Sequence, residues 1–194
     1  LGCQSTDDTE LKLLGRIHTW AQFQESFQMA REAGFANLNV DLMSGLPRQN
    51  LTSWEKSLEV IAGMEPEHIS AYSLIIEEGT PFAEKKPELP DEEEERRMYE
   101  RTWEILQSYG YHQYEISNYA KKGFESKHNS RYWQDYEYIG IGAGAHSYNN
   151  RTRYNNVLNV CEYINGKNRK ENIISISESE RKLELFMLGL RMKE

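Results

Sequence analysis

The sequence lacks the features that mark disulfide-rich, membrane-spanning and nucleic-acid-binding proteins. Its 194 residues include 2 cysteines, Cys3 and Cys161, too far apart in sequence to suggest a disulfide framework or a metal-ligand cluster. No apolar run approaches the roughly 20 residues that cross a bilayer. With 23 basic residues against 31 acidic ones, the net charge of -8 argues against binding to a phosphate backbone. We therefore expect a cytoplasmic protein without a nucleic-acid partner or a transmembrane segment.

The two ends of the sequence do not look like natural termini. The chain opens on LGCQS, without an initiator methionine or the charge pattern of a signal peptide. It closes on LELFMLGLRMKE, in the middle of an apolar-rich helical pattern. We therefore expect these residues to be part of a longer protein.

Strand and helix patterns alternate in the first part of the chain. GCQS, NLNVDLM and HISAYSLII read as strands, and helix starts are indicated by capping boxes at Thr19 and Thr52 and by Asp91. Such alternation is typical of βαβ units with a parallel sheet. The sequence therefore predicts an α/β fold in this part.

The character of the sequence changes after Gly110. Aromatic and polar residues dominate as far as Tyr154, with glycine-rich punctuation. We expect an irregular or antiparallel extension there, followed by two helices that begin near Asn156 and Ser177.

Polar residues at the ends of the predicted strands are the first candidates for a site. Gln4 and Asp41 lie at such ends, and Arg16 follows the first strand. In parallel sheets, the loops at the carboxyl ends of the strands build the site. Asp41 could instead be bonded to nearby backbone, but a buried carboxylate needs a partner, and hydroxyl or ammonium groups of a ligand would supply one.

The segment YIGIGAGAHSY satisfies the letters of a dinucleotide-binding fingerprint, with Gly140, Gly142 and Ala145 at the required places. That fingerprint also needs a helix opening on its glycines within a βαβ unit. Here the segment is followed by NNRTRYNN, which reads as a loop. We therefore expect the glycines to serve close backbone approach and not to bind phosphate.

HNSRYW, residues 128–133, is a second candidate. A histidine beside aromatic residues suits haem, with the imidazole on iron and flat rings along the porphyrin. The alternative is a histidine bonded in a turn, with Tyr132 and Trp133 as core residues. Taken alone, the residues favour this structural alternative.

Seven blocks together resemble one known family. GCQS, GRIHT, NLNVDLMSGLP, HISAYSLIIEEGTPF, YEISNYA, HNSRYW and GIGAGAHSY are similar, in that order, to the HemW family of radical S-adenosylmethionine proteins. These were long described as oxygen-independent coproporphyrinogen III oxidases or their relatives and are now regarded as haem chaperones. The resemblance implies that residues 1–110 form the C-terminal half of a partial (β/α)6, TIM-like barrel. Residues 111–194 would form a mixed α+β extension of the HemW type, truncated at its end.

The resemblance also implies cofactors. Family members hold a four-iron four-sulfur (4Fe-4S) cluster through a C-x-x-x-C-x-x-C motif on an early loop, and this sequence lacks that motif. The family usually has a small apolar residue where Cys3 stands, so we expect no iron–sulfur ligand and no catalytic residue here. We accordingly predict that this chain alone does not cleave S-adenosylmethionine.

Individual residues follow from the same comparison. Gln4, Arg16 and Asp41 match family positions that contact S-adenosylmethionine, and a guanidinium can hold the methionyl carboxylate in a two-pronged bond. Ile75 falls where a backbone contact to the adenine side is expected. His128 matches the histidine of the HNxxYW block proposed to bind haem, with Tyr132 and Trp133 beside it. His146, Gly142 and Gly144 would line a cofactor-facing wall, and His146 is the second-choice contact to haem or substrate.

Three functions fit this resemblance. The first is a HemW-type haem chaperone, which the HNSRYW block favours. The second is an oxygen-independent coproporphyrinogen III oxidase, which converts coproporphyrinogen III to protoporphyrinogen IX. The third is a haem carrier in which cofactor cleavage is incidental. The expected partners are haem or a porphyrin and haem-accepting proteins, and an open barrel edge predicts self-association.

Overall fold

A five-stranded sheet flanked by helices forms the first of two compact units, Leu1–Glu125, and a three-stranded sheet lies in the second, Ser126–Lys193. The computed structural model describes residues 1–85, 87–166 and 169–193. No helix in these ranges is long and apolar enough to cross a membrane.

The first unit alternates strands and helices before it ends in two short strands. Its elements are β1 (Gly2–Gln4), α1 (Asp8–Leu13), α2 (Trp20–Glu32), β2 (Asn39–Ser44), α3 (Leu51–Gly63), β3 (His68–Ser73), α4 (Pro81–Lys85), α5 (Glu92–Ser108), β4 (His112–Glu115) and β5 (Asn118–Ala120). The sheet order is β1-β2-β3-β5-β4. β1, β2 and β3 are parallel, which confirms the predicted parallel sheet. β5 then runs antiparallel to both β3 and β4.

The alternation of β2 separates a helix-covered face of the sheet from a polar face. Val40 and Leu42 are fully buried, whereas Asn39 and Asp41 are partly exposed on the other face. The core lies on the helix-covered side, where the indole N–H of Trp54 donates to the Thr102 hydroxyl over 2.8 Å. The predicted alternation of β2 is confirmed, and it places Asp41 on the face that the helices leave open.

The helix starts follow the capping signals with one shift. Thr19 forms the predicted capping box with Gln22. The box predicted at Thr52 is wrong, because Asn50 caps α3 by accepting from the Ser53 backbone N–H over 2.9 Å. The Ser53 hydroxyl in turn accepts from the backbone N–H of Asn50, so Thr52 lies inside the first helical turn.

The second unit is built on antiparallel strands. Its elements are α6 (Lys127–Trp133), β6 (His146–Asn149), β7 (Thr152–Asn156), α7 (Val160–Asn165), β8 (Lys170–Ser175) and α8 (Glu178–Gly189). The strands pair in the order β6-β7-β8. The predicted antiparallel extension and the helix at Ser177, which caps α8, are confirmed. The helix predicted near Asn156 is wrong in position, since β7 ends there and α7 begins at Val160 behind the cap Asn159.

The division of the chain into units differs from the division by family resemblance. β4 and β5 pair with β3, so residues 112–120 belong to the sheet of the first unit. The boundary between the two compact units falls between residues 125 and 126 of the sequence. The predicted boundary at residue 110, between barrel and extension, concerns the family's barrel and stays a prediction.

Candidate functional site

Gln4 ends β1 in an unusual backbone conformation. Its φ of 70° lies in the left-handed region, which costs a residue with a side chain about 1 to 2 kcal/mol. The side chain is buried, and its Oε1 accepts a hydrogen bond of 3.0 Å from the hydroxyl of Tyr72 on β3. A side chain at Gly2 would place its Cβ 2.9 Å from Gln4 Nε2. The absence of a side chain at Gly2 therefore leaves room for the Gln4 amide.

Asp41 lies opposite Gly2 and Ser70 in the parallel register of the sheet. It is the third of the six residues of β2, so its predicted place at the end of the strand is wrong. Its Oδ1 accepts a hydrogen bond of 2.7 Å from Nδ2 of Asn39, which lies two residues earlier on the same face of β2. Its second oxygen, Oδ2, accepts no hydrogen bond from the described part of the chain. The carboxylate is therefore held at one oxygen and available at the other.

Arg16 and Ile75 lie in the segments that follow β1 and β3. Both are exposed, and Ile75 comes two residues after the end of β3. The GRIHT segment is attached to the sheet by His18, whose Nε2 lies 3.2 Å from the carbonyl oxygen of Cys3. Arg16 therefore lies two residues before the point at which this segment contacts β1.

Tyr72 connects these residues and was not predicted from the sequence. Burial raises the pKa of the Tyr72 hydroxyl, and the negative charge of Asp41 raises it further. The hydrogen bond to Gln4 and the positive charge of Arg16 act in the opposite direction. The structure thus brings Gln4, Asp41 and Arg16 into the surroundings of one phenol. A tyrosine in an apolar strand pattern carries no signal that distinguishes this role from packing.

Glu10 holds the loop after β1 and was also missed. This buried carboxylate accepts hydrogen bonds from Ser5 Oγ over 2.5 Å, Gln49 Nε2 over 3.0 Å and Ser53 Oγ over 3.1 Å. Three neutral donors satisfy a charge that would be costly to bury alone. Since Ser5 follows Gln4 directly, Glu10 ties the Gln4 loop to the loop after β2.

Cys3 points away from this face into the hydrophobic core. It is fully buried, and burial raises the pKa of its thiol to about 12. Because the thiolate is the form that binds metals, a thiol in this state is a packing group. Within residues 1–85, 87–166 and 169–193, no group of three or more His, Cys, Asp or Glu side chains could hold a metal ion.

His68 is buried opposite Asn39 and gives the first unit a pH dependence. Burial lowers the pKa of His68 to about 4, below its usual value of 6.5. Between these two values the unfolded chain binds a proton that the folded chain excludes, so stability falls as the pH falls. We expect the first unit to lose about 2 kcal/mol of unfolding free energy between pH 7.5 and pH 5. Denaturant unfolding of wild type and His68→Asn across this range measures the effect, and equal pH slopes in the two proteins would contradict it.

His128 lies on α6 at the end of a series of aromatic rings. Its ring meets that of Tyr132 edge-on at 4.9 Å, Tyr132 meets Tyr138 at 4.8 Å, and Tyr138 lies 6.4 Å from Tyr148. The imidazole is exposed and makes no hydrogen bond to the described residues. The alternative of a histidine bonded in a turn therefore does not describe His128.

Two aromatic clefts adjoin α6. One of about 200 Å³ is lined by His128, Arg131, Tyr132, Tyr136, Glu137 and Tyr138. The other, of about 360 Å³, shares three of these tyrosines and also contains Trp133, which is half-buried beneath the guanidinium of Arg191 at 4.2 Å. The structure thus brings His128 and Tyr132 to one cleft and turns Trp133 toward the other.

The backbone N–H groups of the glycine segment before β6 are hydrogen-bonded within the second unit. The backbone N–H groups of Gly140, Gly142 and Gly144 donate to Ser147 Oγ, the Tyr163 hydroxyl and the Val157 carbonyl oxygen, respectively. A phosphate cradle needs such groups free, so the segment does not form one. A Cβ at Gly140 would lie 2.2 Å from the carbonyl oxygen of His146, which confirms close backbone approach there. The His146 side chain is exposed at the start of β6.

Substitution of Gly140 by alanine is expected to destabilise the second unit by about 1 to 3 kcal/mol, because backbone must move to admit the added methyl group. Chemical denaturation measures the loss. Ala143→Ser, three residues away in the same segment, is the matched control and is expected to change stability by less than about 0.5 kcal/mol. Equal stability of Gly140→Ala and wild type would show that the segment is not tightly packed.

Comparison with known proteins gives consistent relatives. No family model matches the chain. The haem chaperone HemW of Bacillus subtilis is 41% identical over 198 residues, which cover 98% of this chain and 52% of that protein. HemW of Lactococcus lactis is 38% identical over 201 residues, which cover 100% of this chain and 52% of that protein. The chain therefore spans about half the length of the curated relatives it matches.

A solved structure supports the fold. Coproporphyrinogen III oxidase (HemN) from Escherichia coli, described as a radical SAM enzyme, superposes with a TM-score of 0.82 at 20% identity, over 98% of this chain and 48% of that one. At this identity the likeness shows the fold alone. It confirms the predicted α/β class, the C-terminal part of a radical SAM barrel with a mixed extension.

Proposed function

Because the chain belongs to the HemW family, we propose that it forms the part of a haem chaperone that contacts both S-adenosylmethionine and haem. The observation that carries the proposal is the free imidazole of His128 beside the aromatic cleft of the second unit. Gln4 at the end of β1 and Asp41 within the neighbouring strand β2 support the S-adenosylmethionine contact.

The polar groups of Gln4, Asp41 and Arg16 fit S-adenosylmethionine in chemistry. The free Oδ2 of Asp41 would accept from ribose hydroxyls or the amino group, and the Gln4 amide offers the complementary donor. The exposed guanidinium of Arg16 would hold the methionyl carboxylate, and the backbone at Ile75 would meet the adenine side. With a 4Fe-4S cluster provided by polypeptide outside these 194 residues, the bound cofactor supplies reductive cleavage of its sulfonium. The chain's own residues bind and orient it.

The donors in the second unit fit haem. An unprotonated imidazole nitrogen is a common axial ligand of haem iron, and His128 makes no competing hydrogen bond to the described residues. The ring of Tyr132 would lie along the porphyrin, with Trp133 packed behind it. His146 is the second-choice ligand, because it is exposed at the end of the glycine segment.

Oxygen-independent coproporphyrinogen III oxidase, the activity under which members of this family were long described, is the second candidate. The HNSRYW block is the reason to place the chaperone first. We further propose a cytoplasmic location and a haem-accepting partner protein. The outer edge of β1 ends the sheet order, and we propose that this edge leads to self-association.

The test uses the full-length natural protein that carries this sequence, with its cluster reconstituted anaerobically. Haem is titrated by absorbance, and coproporphyrinogen III with S-adenosylmethionine and reductant is assayed for protoporphyrinogen IX. We expect saturable haem binding and no conversion. Conversion of coproporphyrinogen III would overturn the chaperone proposal in favour of the oxidase, and failure to bind haem would remove its basis.

A further inference from the structure

A chain of side-chain hydrogen bonds connects Asp41 with a buried histidine on the neighbouring strand β3. Asn39 Nδ2 donates to Asp41 Oδ1 over 2.7 Å, and Asn39 Oδ1 lies 2.6 Å from His68 Nδ1. His68 Nε2 lies 2.7 Å from the hydroxyl of Tyr114 on β4. The register of β2 and β3 places Asn39 directly opposite His68. We call these four residues the Asp41 relay.

The direction of every bond in the Asp41 relay is fixed by its charged end. A carboxylate only accepts hydrogen bonds, so the Asn39 amide must turn its NH2 group toward Asp41 and its oxygen toward His68. The imidazole must then donate from Nδ1, which leaves Nε2 of the neutral ring to accept from the Tyr114 hydroxyl. Ser70 Oγ donates to the same Asn39 oxygen over 3.2 Å and holds the amide in this orientation.

The burial of His68 fits this arrangement. The side chain is 5% exposed, and no role in packing alone requires both ring nitrogens to be within 2.7 Å of a polar partner. The relay's only carboxylate is the one at its end, whose Oδ2 accepts no hydrogen bond from the described residues. The relay therefore fixes one oxygen of Asp41 and leaves the other for a ligand.

We infer that Asn39 and His68 are positioning residues, which hold the Asp41 carboxylate in the orientation that binds the S-adenosyl group. The inference rests on the proposed function, in which Asp41 contacts S-adenosylmethionine. Preorganisation of this kind adds to affinity because a bound ligand no longer has to order the carboxylate.

Two isosteric variants of His68 separate positioning from packing. Asparagine places its NH2 group near the position of Nδ1 and can still donate to Asn39, whereas glutamine reaches only the position of Nε2. We expect His68→Gln and Asn39→Ala to weaken binding of S-adenosylhomocysteine about 10-fold. We expect His68→Asn to stay within about 3-fold of wild type, although it removes the same ring. Binding is measured by calorimetry on the full-length, cluster-reconstituted protein without reductant, so that no turnover contributes.

Thr102→Val is the matched control, since it removes a buried hydrogen bond to Trp54 in the core without touching the relay. It is expected to lower stability and leave the affinity unchanged. If His68→Gln and Asn39→Ala bind like wild type while Asp41→Ala does not, the positioning inference is wrong and the proposed contact stands. If Asp41→Ala also binds like wild type, the proposed cofactor contact itself fails.

The tautomer of His68 gives a readout that needs no variant. Nitrogen-15 NMR of the imidazole is expected to show a neutral ring at pH 7 with the proton on Nδ1. A proton on Nε2 would reverse the hydrogen bonds that the relay requires and would overturn the inference, even if the variants fail to fold.

Discussion

Replacement of Asp41 by alanine is expected to weaken S-adenosylmethionine binding at least about 100-fold. The change removes a carboxylate within β2, which lies opposite Gly2 and accepts from Asn39. Loss of one partner in a charged hydrogen bond that is desolvated on binding costs about 2 to 5 kcal/mol, and a 100-fold loss corresponds to about 2.7 kcal/mol, within that range. The amide of Gln4 does not compensate, since the Tyr72 hydroxyl fixes its oxygen independently of Asp41.

The measurement is equilibrium binding to the full-length protein with its cluster reconstituted and no reductant present. Asp41→Asn keeps the shape of the side chain and is expected to retain part of the affinity, because an amide oxygen still accepts from a ligand hydroxyl. Asp91→Asn, at the cap of α5, is the matched control for loss of a carboxylate elsewhere and is expected to bind normally. Wild-type affinity in the Asp41→Ala protein would show that Asp41 is not part of the S-adenosylmethionine site.

Local sequence patterns predicted the elements that depend on local physics. The alternation of Val40 and Leu42 with Asp41 fixed which face of β2 is polar, because successive side chains of a strand point to opposite faces. Thr19 and Ser177 identified helix starts through their capping boxes. The choice of Thr52 in place of Asn50 shows the limit, because two capping-type residues two positions apart compete, and only the hydrogen bonds decide between them.

Contacts between distant residues could not be read from the sequence. No pattern around His68 indicates its partners, yet it is buried and bonded to residues 29 and 46 positions away. Glu10 similarly depends on Gln49 and Ser53, which no periodicity connects to it. The strand β8 was missed because all its residues are exposed, so it carries no buried stripe.

The glycines of YIGIGAGAHSY match a nucleotide-binding motif in sequence but not in structure. The letters match a nucleotide loop, but hydrogen bonds within the second unit occupy the N–H groups of Gly140 and Gly142. The Asn156 amide additionally donates to the carbonyl oxygens of both glycines. Asn156 thus fastens the segment instead of starting a helix. The cofactor-facing role of Gly142, Gly144 and His146 stays a prediction.

Replacement of His128 by alanine is expected to produce the other large effect, a loss of at least about 10- to 100-fold in haem affinity. Among the side chains that line the smaller aromatic cleft in the described part of the chain, His128 contributes the one imidazole. Even partners one step removed from a metal contribute 10- to 100-fold to affinity. Tyr132→Phe keeps the ring that meets His128 and is expected to bind haem almost normally.

Haem titration of the full-length protein, followed by absorbance, directly tests whether His128 is a ligand of the haem iron. His112→Ala is the matched control, because it removes an exposed histidine that is paired with Glu125 in the first unit. Wild type and His112→Ala are expected to bind haem with the same affinity and spectrum, whereas His128→Ala is expected to lose both. Equal binding by His128→Ala and wild type would contradict it, and a loss confined to His146→Ala would transfer the ligand to the end of the glycine segment.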